Sequence, residues 1–328
     1  MGKKVIGISL GDPAGIGPEI LLKALPEIKK IKGTAPLVIG DASVIEKIAF
    51  FFGKQVKLNV VKKREEIKNE GLNIYSPNVI QNGIFPRGKD SKVCGKASFV
   101  YVEEAIELWK RRHIDALVTL PISKKAWHMA GFFYSGHTEL LAERLNTKKY
   151  AMIMIAGGLR VLLVTAHIPL KDVSKSITGG LIVDKLVTGY DFLVLCGIKK
   201  PVIGIASVNP HGGEGGILGR EEKDVIIPAV AALRKKKIVC KGPIPADAIF
   251  KKAIAGEMDM IAAMYHDQAL IPLKTFYFDK LVNCTAGLGM VRTSPGHGTG
   301  FDIACKGKAN PSSFIEAYRT AYSLIKNR

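Results

Sequence analysis

The sequence is poor in cysteine, and its cysteines show no pairing pattern. Five occur among 328 residues, which is an odd number, and no two of them form a CxxC pair. This usage excludes a small scaffold stapled by disulfides and favours a reducing compartment. We also expect no secretory leader, so the cytoplasm is the predicted location.

Long apolar runs are missing as well. The longest, residues 151–166, is interrupted by Gly157, Gly158 and Arg160 and falls short of the ~20 residues that a membrane helix needs. It predicts buried strand instead. The 34 glycines and 16 prolines are spread along the chain, and 47% of the residues are hydrophobic. A disordered or fibrous protein is therefore excluded, and one large or two closely joined domains are expected.

Acidic residues are few compared with basic ones. There are 29 Asp and Glu against 48 Lys and Arg, which gives a formal net charge of +19. Such a charge suits anionic ligands, nucleic acid or an anionic membrane surface. The basic clusters at 62–64 and 234–237 contain no interleaved aromatic residues, which favours solvated surface. We therefore predict neither a nucleic-acid partner nor a membrane partner.

What the chain does contain is an alternation of short apolar runs and amphipathic stretches. This alternation is typical of a doubly wound α/β fold. Because the sequence contains no linker between separate domains, we expect two lobes around a cleft. The predicted strands are Lys4–Leu10, Leu37–Ile39, Ala116–Leu120, Ala151–Ile155, Arg160–Thr165, Val202–Ser207 and Met260–Met264. The predicted helices are Pro18–Ile28, Phe99–Arg111 and Glu221–Lys235.

Three histidines share one structural position. His167, His211 and His266 each follow a predicted strand. The carboxyl ends of strands in an open α/β sheet are where ligands bind, and three neutral imidazoles can form an open metal site. The alternative is that each histidine only caps its strand. Asp247 and Asp267 are candidates for orienting such ligands, or are simply turn and helix-cap carboxylates.

Two glycine-containing segments and several donors suit an anion. The segment from Ser9 to Glu19 follows a strand and opens a helix, so its backbone N–H groups can face an anion, although a tight turn is the simpler interpretation. His137 and Thr138 precede a helical run. Lys274, Asn283 and Arg292 add donors suited to phosphate and carboxylate. Residues 292–311 are too rich in glycine and polar residues for a strand and predict an ordered functional loop.

Taken together, these motifs closely resemble the 4-hydroxythreonine-4-phosphate dehydrogenase family of vitamin B6 biosynthesis. The resemblance spans nearly the whole chain and is specific because several motifs occur together. The motifs are Gly11-Asp-Pro-Ala-Gly-Ile-Gly-Pro-Glu19, Gly136-His-Thr-Glu139, Asn209-Pro-His-Gly-Gly-Glu-Gly-Gly216, Gly242-Pro-Ile-Pro-Ala-Asp247 and Tyr265-His-Asp-Gln268.

The resemblance implies a three-layer α/β/α fold like that of isocitrate and isopropylmalate dehydrogenases. It also implies a homodimer with active sites shared between subunits, NAD or NADP, and a divalent metal such as zinc, magnesium or cobalt. On this basis a cofactor-binding lobe is expected at 1–125 plus 268–328, and a metal-binding and dimerisation lobe at 126–267. In such a dimer, His167 and His266 could reach one metal from different subunits.

The resemblance assigns site residues one by one. Its metal ligands fall on His167, His211 and His266. Its substrate contacts fall on His137, Thr138, Lys274, Asn283 and Arg292. We assign cofactor binding to Gly11, Asp12, His297, Gly298, Asp302 and Asn310, and we assign Asp247 and Asp267 to supporting catalysis. The family pattern carries an acidic residue in place of Gly296, alanine in place of Gly300 and glycine in place of Cys305, which leaves the choice between NAD and NADP open.

The implied reaction oxidises 4-phosphooxy-L-threonine and then removes CO2. A paralogous dehydrogenase of threonate or erythronate 4-phosphate is the alternative within the same class. A phosphate acyltransferase, a metal hydrolase and a basic nucleic-acid-binding protein are the alternatives from other classes. The general base is left open.

Overall fold

Within the part of the chain that the structure describes, twelve strands form the core, six in each of two units. The computed structural model describes residues 3–326. Unit 1 combines the chain up to Asn146 with the segment from Leu288 onward, and unit 2 is Thr147–Gly287. The predicted lobes divided instead at 125/126 and 267/268. The assignment of cofactor binding to one lobe and of metal binding to the other stays a prediction.

The strands and helices are numbered in chain order. The strands are β1 Lys4–Ser9, β2 Thr34–Ile39, β3 Leu58–Val60, β4 Leu72–Tyr75, β5 Ala116–Thr119, β6 Ala151–Ala156, β7 Leu159–Leu163, β8 Val202–Ala206, β9 Val239–Ile244, β10 Met260–Ala263, β11 Val282–Ala286 and β12 Val291–Pro295. The helices are α1 Gly17–Lys29, α2 Ala42–Phe51, α3 Lys92–Lys110, α4 Lys124–Met129, α5 His137–Arg144, α6 Val173–Ser176, α7 Gly179–Leu195, α8 Ile227–Lys235, α9 Ala246–Ile254, α10 His266–Tyr277 and α11 Ser312–Ile325.

Unit 1 contains a parallel arrangement of strands in the order β3-β4-β2-β1-β5-β12. Its central strand β1 is apolar and buried along nearly its whole length, as expected where helices cover both faces of a parallel sheet. Helix α3 begins seven residues before its predicted start because Ser91 caps it, the Ser91 Oγ accepting a hydrogen bond from the Cys94 N–H at 3.3 Å.

Unit 2 contains a mixed arrangement in the order β11-β6-β7-β10-β8-β9. The pairs β11/β6 and β6/β7 are antiparallel, and β7, β10, β8 and β9 run parallel to one another. Their carboxyl ends therefore lie at one edge of the sheet. The predicted α/β class is confirmed.

The apolar run 151–166 forms two strands, β6 and β7, as predicted, and they pair antiparallel through a turn at Gly157 and Gly158, which have φ of 56° and 87°. One sequence-based expectation was wrong. The segment beginning at Arg292 was expected to be a loop, but its first residues form the buried strand β12, paired with β5. Its polar side chains are tolerated there because they find partners; Thr293 Oγ1, for example, donates to the Ala317 carbonyl at 2.9 Å.

Some elements were not foreseen. No strand was predicted at β3, β4, β9 or β11, and the predicted helix Glu221–Lys235 opens with a π-helical turn, Glu222–Ile226, before α8. Among residues 3–326, no helix has the length and apolar character needed to span a membrane.

Candidate active site

The three candidate histidines lie just after the carboxyl ends of strands in unit 2, at the same edge of the sheet. His167 lies four residues after β7, His266 three residues after β10 and His211 five residues after β8. These strands are consecutive neighbours in the order β7-β10-β8. Asp247 follows β9, the next strand along, and is exposed in the first turn of α9. The parallel strands thus deliver all four side chains to one edge.

Two of these histidines lie side by side. The ring centres of His167 and His266 are 5.8 Å apart, with their planes at 44°. A nitrogen bonds zinc at about 2.0–2.1 Å, so two imidazoles sharing an ion at the tetrahedral angle have ring centres about 5–6 Å apart. The pair therefore fits two ligands of a divalent ion. Both rings line a cavity of about 230 Å³ together with Ala166, Tyr265 and Asp267.

The neighbouring carboxylate orients one of these rings. Asp267 Oδ1 lies 2.6 Å from His266 Nδ1. A carboxylate at that distance favours the tautomer with the proton on Nδ1 and leaves Nε2 available as a ligand. Asp267 is thus placed to set both the tautomer and the orientation of His266.

His211 is not grouped with this pair. Among residues 3–326, no three His, Cys, Asp or Glu side chains are close enough together to hold a metal. His211 is exposed and begins a stretch, residues 211–215, in which every φ is positive, from 46° to 78°. Three of these five residues are glycines, which adopt this left-handed backbone at little cost. Within the described chain, His167 and His266 therefore lie side by side and His211 lies apart from them; that one metal is shared between two subunits stays a prediction.

Two further candidates in unit 2 lie apart from the histidine pair along the chain. Lys274 is exposed and lies eight residues after His266 on α10, about 12 Å along the helix axis. Its Nζ lies 5.9 Å from the centre of the Phe278 ring. Asn283 is half-buried on β11, and its Oδ1 is buried with no hydrogen-bond partner among the described residues.

The candidate anion-binding residues of unit 1 form a second group. Arg292 is 4% exposed, and its Nε and Nη2 donate to Thr119 Oγ1 at 3.1 and 2.7 Å. Burial and the nearby charge of Arg292 hold the pKa of His137 well below its ordinary value, so this imidazole is neutral. His137 Nε2 is buried and has no hydrogen-bond partner in the described chain. Thr138 is buried in the first turn of α5. A guanidinium, a neutral imidazole and a helix N-terminus together suit a phosphate.

The segment after β1 takes a tight backbone conformation. Gly11 has φ of 72°, and a Cβ at this position would lie 2.4 Å from the Pro121 carbonyl oxygen, so only glycine fits. Asp12 is fully buried. Its Oδ1 accepts from the Ala14 N–H at 2.9 Å, and its Oδ2 has no partner among residues 3–326. Burial, reinforced by the nearby charge of Asp90, raises the pKa of Asp12 to about 6, although the bond from Ala14 opposes the shift.

This pKa predicts a pH-dependent stability. The folded pKa of Asp12 lies above its unfolded value, so its protonated form stabilises the fold at low pH and this contribution is lost as the pH rises through about 6. Relative to Asp12→Asn, the wild-type free energy of unfolding should fall by about 2 kcal/mol between about pH 4 and 7. Urea unfolding of both proteins across this range measures the difference. Parallel stability curves would contradict the shift.

Hydrogen bonds connect the candidate cofactor loop to α1. The Ile16 N–H donates to the Thr299 carbonyl at 2.9 Å, and the Ala309 N–H donates to Glu19 Oε1 at 3.0 Å. Lys23 Nζ reaches the Ala309 carbonyl at 2.8 Å. The structure thus joins the loop that carries His297, Gly298, Asp302 and Asn310 to the helix that follows Gly11 and Asp12. Of the loop residues, Gly298, Asp302 and Asn310 are exposed.

Sequence reasoning assigned no role to several residues that the structure places at these sites. Thr119 receives the Arg292 guanidinium, and Glu19 holds the cofactor loop. Gln268 joins two of the strand ends that carry histidines. Glu19 and Gln268 both stand inside recognised motifs, which was the available signal. Thr119 had none, because its partner Arg292 is distant in sequence.

The chain is similar to known proteins along nearly its whole length. A family model described as pyridoxal phosphate biosynthetic protein PdxA matches residues 32–321. The D-threonate 4-phosphate dehydrogenase of Cupriavidus necator is 41% identical over 327 residues, which cover 99% of this chain and 98% of that protein. The 4-hydroxythreonine-4-phosphate dehydrogenase of a Sulfurihydrogenibium species is 42% identical over 327 residues, covering 98% and 99%.

A solved structure agrees with these matches. The crystal structure of 4-hydroxythreonine-4-phosphate dehydrogenase from Klebsiella pneumoniae superposes with a TM-score of 0.89 at 35% identity. The match covers 98% of this chain and 100% of that one.

Proposed function

Because the chain belongs to the PdxA family of pyridoxal phosphate biosynthetic proteins, we propose that it is a dehydrogenase that uses NAD or NADP and a divalent metal. Its proposed substrate is 4-phosphooxy-L-threonine, which it oxidises to 2-amino-3-oxo-4-phosphooxybutanoate. Decarboxylation then gives 3-amino-2-oxopropyl phosphate. The observation that carries the metal-dependent part is the pair of imidazoles at the carboxyl edge of the unit 2 sheet, 5.8 Å apart, with Asp267 on one of them.

The proposed metal ligands are His167 and His266, with His211 as the third. A divalent ion supplies Lewis acidity for the hydroxyl and the later carbonyl, and the nicotinamide supplies a hydride acceptor. Asp267 keeps the proton of His266 on Nδ1, so that Nε2 presents its lone pair to the ion. Asp247 lies at the same edge of the sheet as a further supporting carboxylate.

The proposed phosphate contacts are a buried guanidinium, a neutral imidazole and the N-terminus of a helix. Arg292 is held by Thr119 through two of its donors, which fixes the plane of the guanidinium. In its neutral form, His137 can donate from the buried Nε2 to a phosphate oxygen, and Thr138 adds a hydroxyl and the N-terminus of α5. Lys274 and Asn283 are proposed to contact the remaining polar groups of the substrate.

A second substrate has specific support. The relative named D-threonate 4-phosphate dehydrogenase is as similar to this chain as the relative named 4-hydroxythreonine-4-phosphate dehydrogenase. The two substrates share a four-carbon acid, a 3-hydroxyl and a 4-phosphate, and differ in an amine or a hydroxyl at C2. The residues proposed above would bind the groups that the two substrates share.

A substrate panel separates these candidates. With a divalent metal and NAD or NADP, we expect 4-phosphooxy-L-threonine to give nicotinamide absorbance with a higher kcat/KM than D-threonate 4-phosphate. The reverse preference would assign the paralogous function. Acyl-phosphate turnover without nicotinamide would instead indicate an acyltransferase, and both dehydrogenase proposals would be wrong.

A further inference from the structure

The strand ends that carry the candidate metal ligands are joined by buried side chains. Thr165 is 6% exposed and lies two residues before His167. Its Oγ1 donates to the Met264 carbonyl at 2.6 Å, and its own N–H donates to the same oxygen at 3.2 Å. Met264 lies two residues before His266. Thr165 therefore fixes the end of β7 against the end of β10.

A glutamine makes the next link. Gln268 is 8% exposed and stands in the first turn of α10, two residues after His266. Its Oε1 accepts from the Met264 N–H at 2.7 Å, and its Nε2 donates to the Ser207 carbonyl at 2.8 Å. Both ends of one amide are thus used to hold β10 against β8. No other side chain of this length offers a donor and an acceptor in the same geometry.

A buried carboxylate completes the set at the loop that carries His211. Glu222 is 3% exposed, and its Oε1 accepts from the N–H groups of Val208 and Asn209, both at 2.8 Å. Its Oε2 accepts from Asn209 Nδ2 at 2.8 Å. Ser207 Oγ donates to the Asn209 carbonyl at 3.0 Å, which connects this loop to the Gln268 link. The left-handed stretch that begins at His211 is therefore anchored at its start.

We propose that Thr165, Gln268 and Glu222 are positioning residues that set the relative placement of the three histidine loops and, through it, the affinity for a divalent metal. The proposal rests on the metal site proposed above. None of the three needs to touch the ion, because each acts through the backbone next to a histidine. Ligands on separate loops bind an ion well only when they are held within about 0.5 Å of the productive geometry. Loss of such support typically costs about 10–100-fold in metal affinity.

A matched pair of threonines tests the proposal. Thr165 and Thr188 are both buried in unit 2, at 6% and 7% exposure, and both donate Oγ1 to a main-chain carbonyl. Thr188 donates to Asp184 within helix α7, away from the histidine loops. Thr165→Val and Thr188→Val therefore delete the same group from similar surroundings. Cobalt titration of the metal-free full-length protein, followed by calorimetry, measures affinity, and thermal unfolding without metal measures stability.

We expect Thr165→Val to weaken cobalt binding about tenfold and Thr188→Val to change it less than about twofold, at similar loss of thermal stability. Gln268→Met, which deletes both bonds, should weaken binding more than Gln268→Glu, which keeps the acceptor for Met264. Equal losses of affinity for the two threonine variants would overturn the proposal, because affinity would then follow general stability. If Gln268→Met fails to fold, Gln268→Glu and the two threonine variants still test the positioning role.

His266→Asn separates failure of this inference from failure of the proposed function. If His266→Asn binds cobalt as the wild type does, the metal site itself is wrong. If His266→Asn loses cobalt while Thr165→Val and Gln268→Glu keep wild-type affinity, the metal site stands and the positioning role is wrong.

Discussion

Replacing His266 by asparagine is expected to lower kcat/KM by about a thousandfold while the fold stays intact. The imidazole is one of two rings placed to share an ion, and an ion that polarises the reacting oxygen contributes about 4 kcal/mol to the transition state. His266 is partly exposed at a strand end rather than packed in the core, so circular dichroism and thermal unfolding of the metal-free protein should change little. Steady-state kinetics with saturating metal measures the loss.

Chelation is the independent control for this result. Removing divalent metal from the wild type should reduce turnover to the level of His266→Asn, and adding metal back should restore only the wild type. Asp267→Asn, which weakens the hold on Nδ1, should give a smaller loss of about 10–100-fold. A chelated enzyme that keeps full activity with no bound metal would exclude the metal mechanism.

Arg292→Met is expected to reduce kcat/KM for the phosphorylated substrate by about 10–100-fold and to leave an unphosphorylated analogue nearly unaffected. A charge-assisted hydrogen bond contributes about 1.5–3 kcal/mol, and this contact is lost only when the ligand carries the phosphate. Arg292 is buried and fixed by Thr119, so its guanidinium is already oriented before the ligand arrives. Kinetics with both ligands at several concentrations gives the comparison.

Arg292→Lys is the matched control, since it keeps the charge and loses the planar fork. It should recover part of the affinity for the phosphorylated ligand but not the wild-type value. Equal losses for the phosphorylated and unphosphorylated ligands would show that Arg292 does not bind phosphate, and the substrate carboxylate would become the expected partner. Thermal unfolding distinguishes either result from a general loss of stability.

The sequence predicted the parts of the fold that local pattern determines. Strands such as β1, β8 and β10 are continuous apolar runs, because a parallel strand is buried on both faces, and each was placed to within about two residues. Strand β12 was missed because its polar residues have no apolar pattern; they are buried only because partners such as Thr119 and the Ala317 carbonyl lie beside them.

Some features of the candidate site were likewise predictable from the sequence, and others were not. The position of each histidine directly after a strand, and the motifs that carry the family resemblance, are properties of the sequence by itself. That β7, β10 and β8 are neighbours, that His167 and His266 lie together without His211, and that Gln268 spans two strand ends were decided only by tertiary structure. The physical reason is that local pattern records which face of a segment is buried. The order of strands and the partners of buried polar groups depend instead on contacts between residues far apart in the chain, which no local pattern encodes.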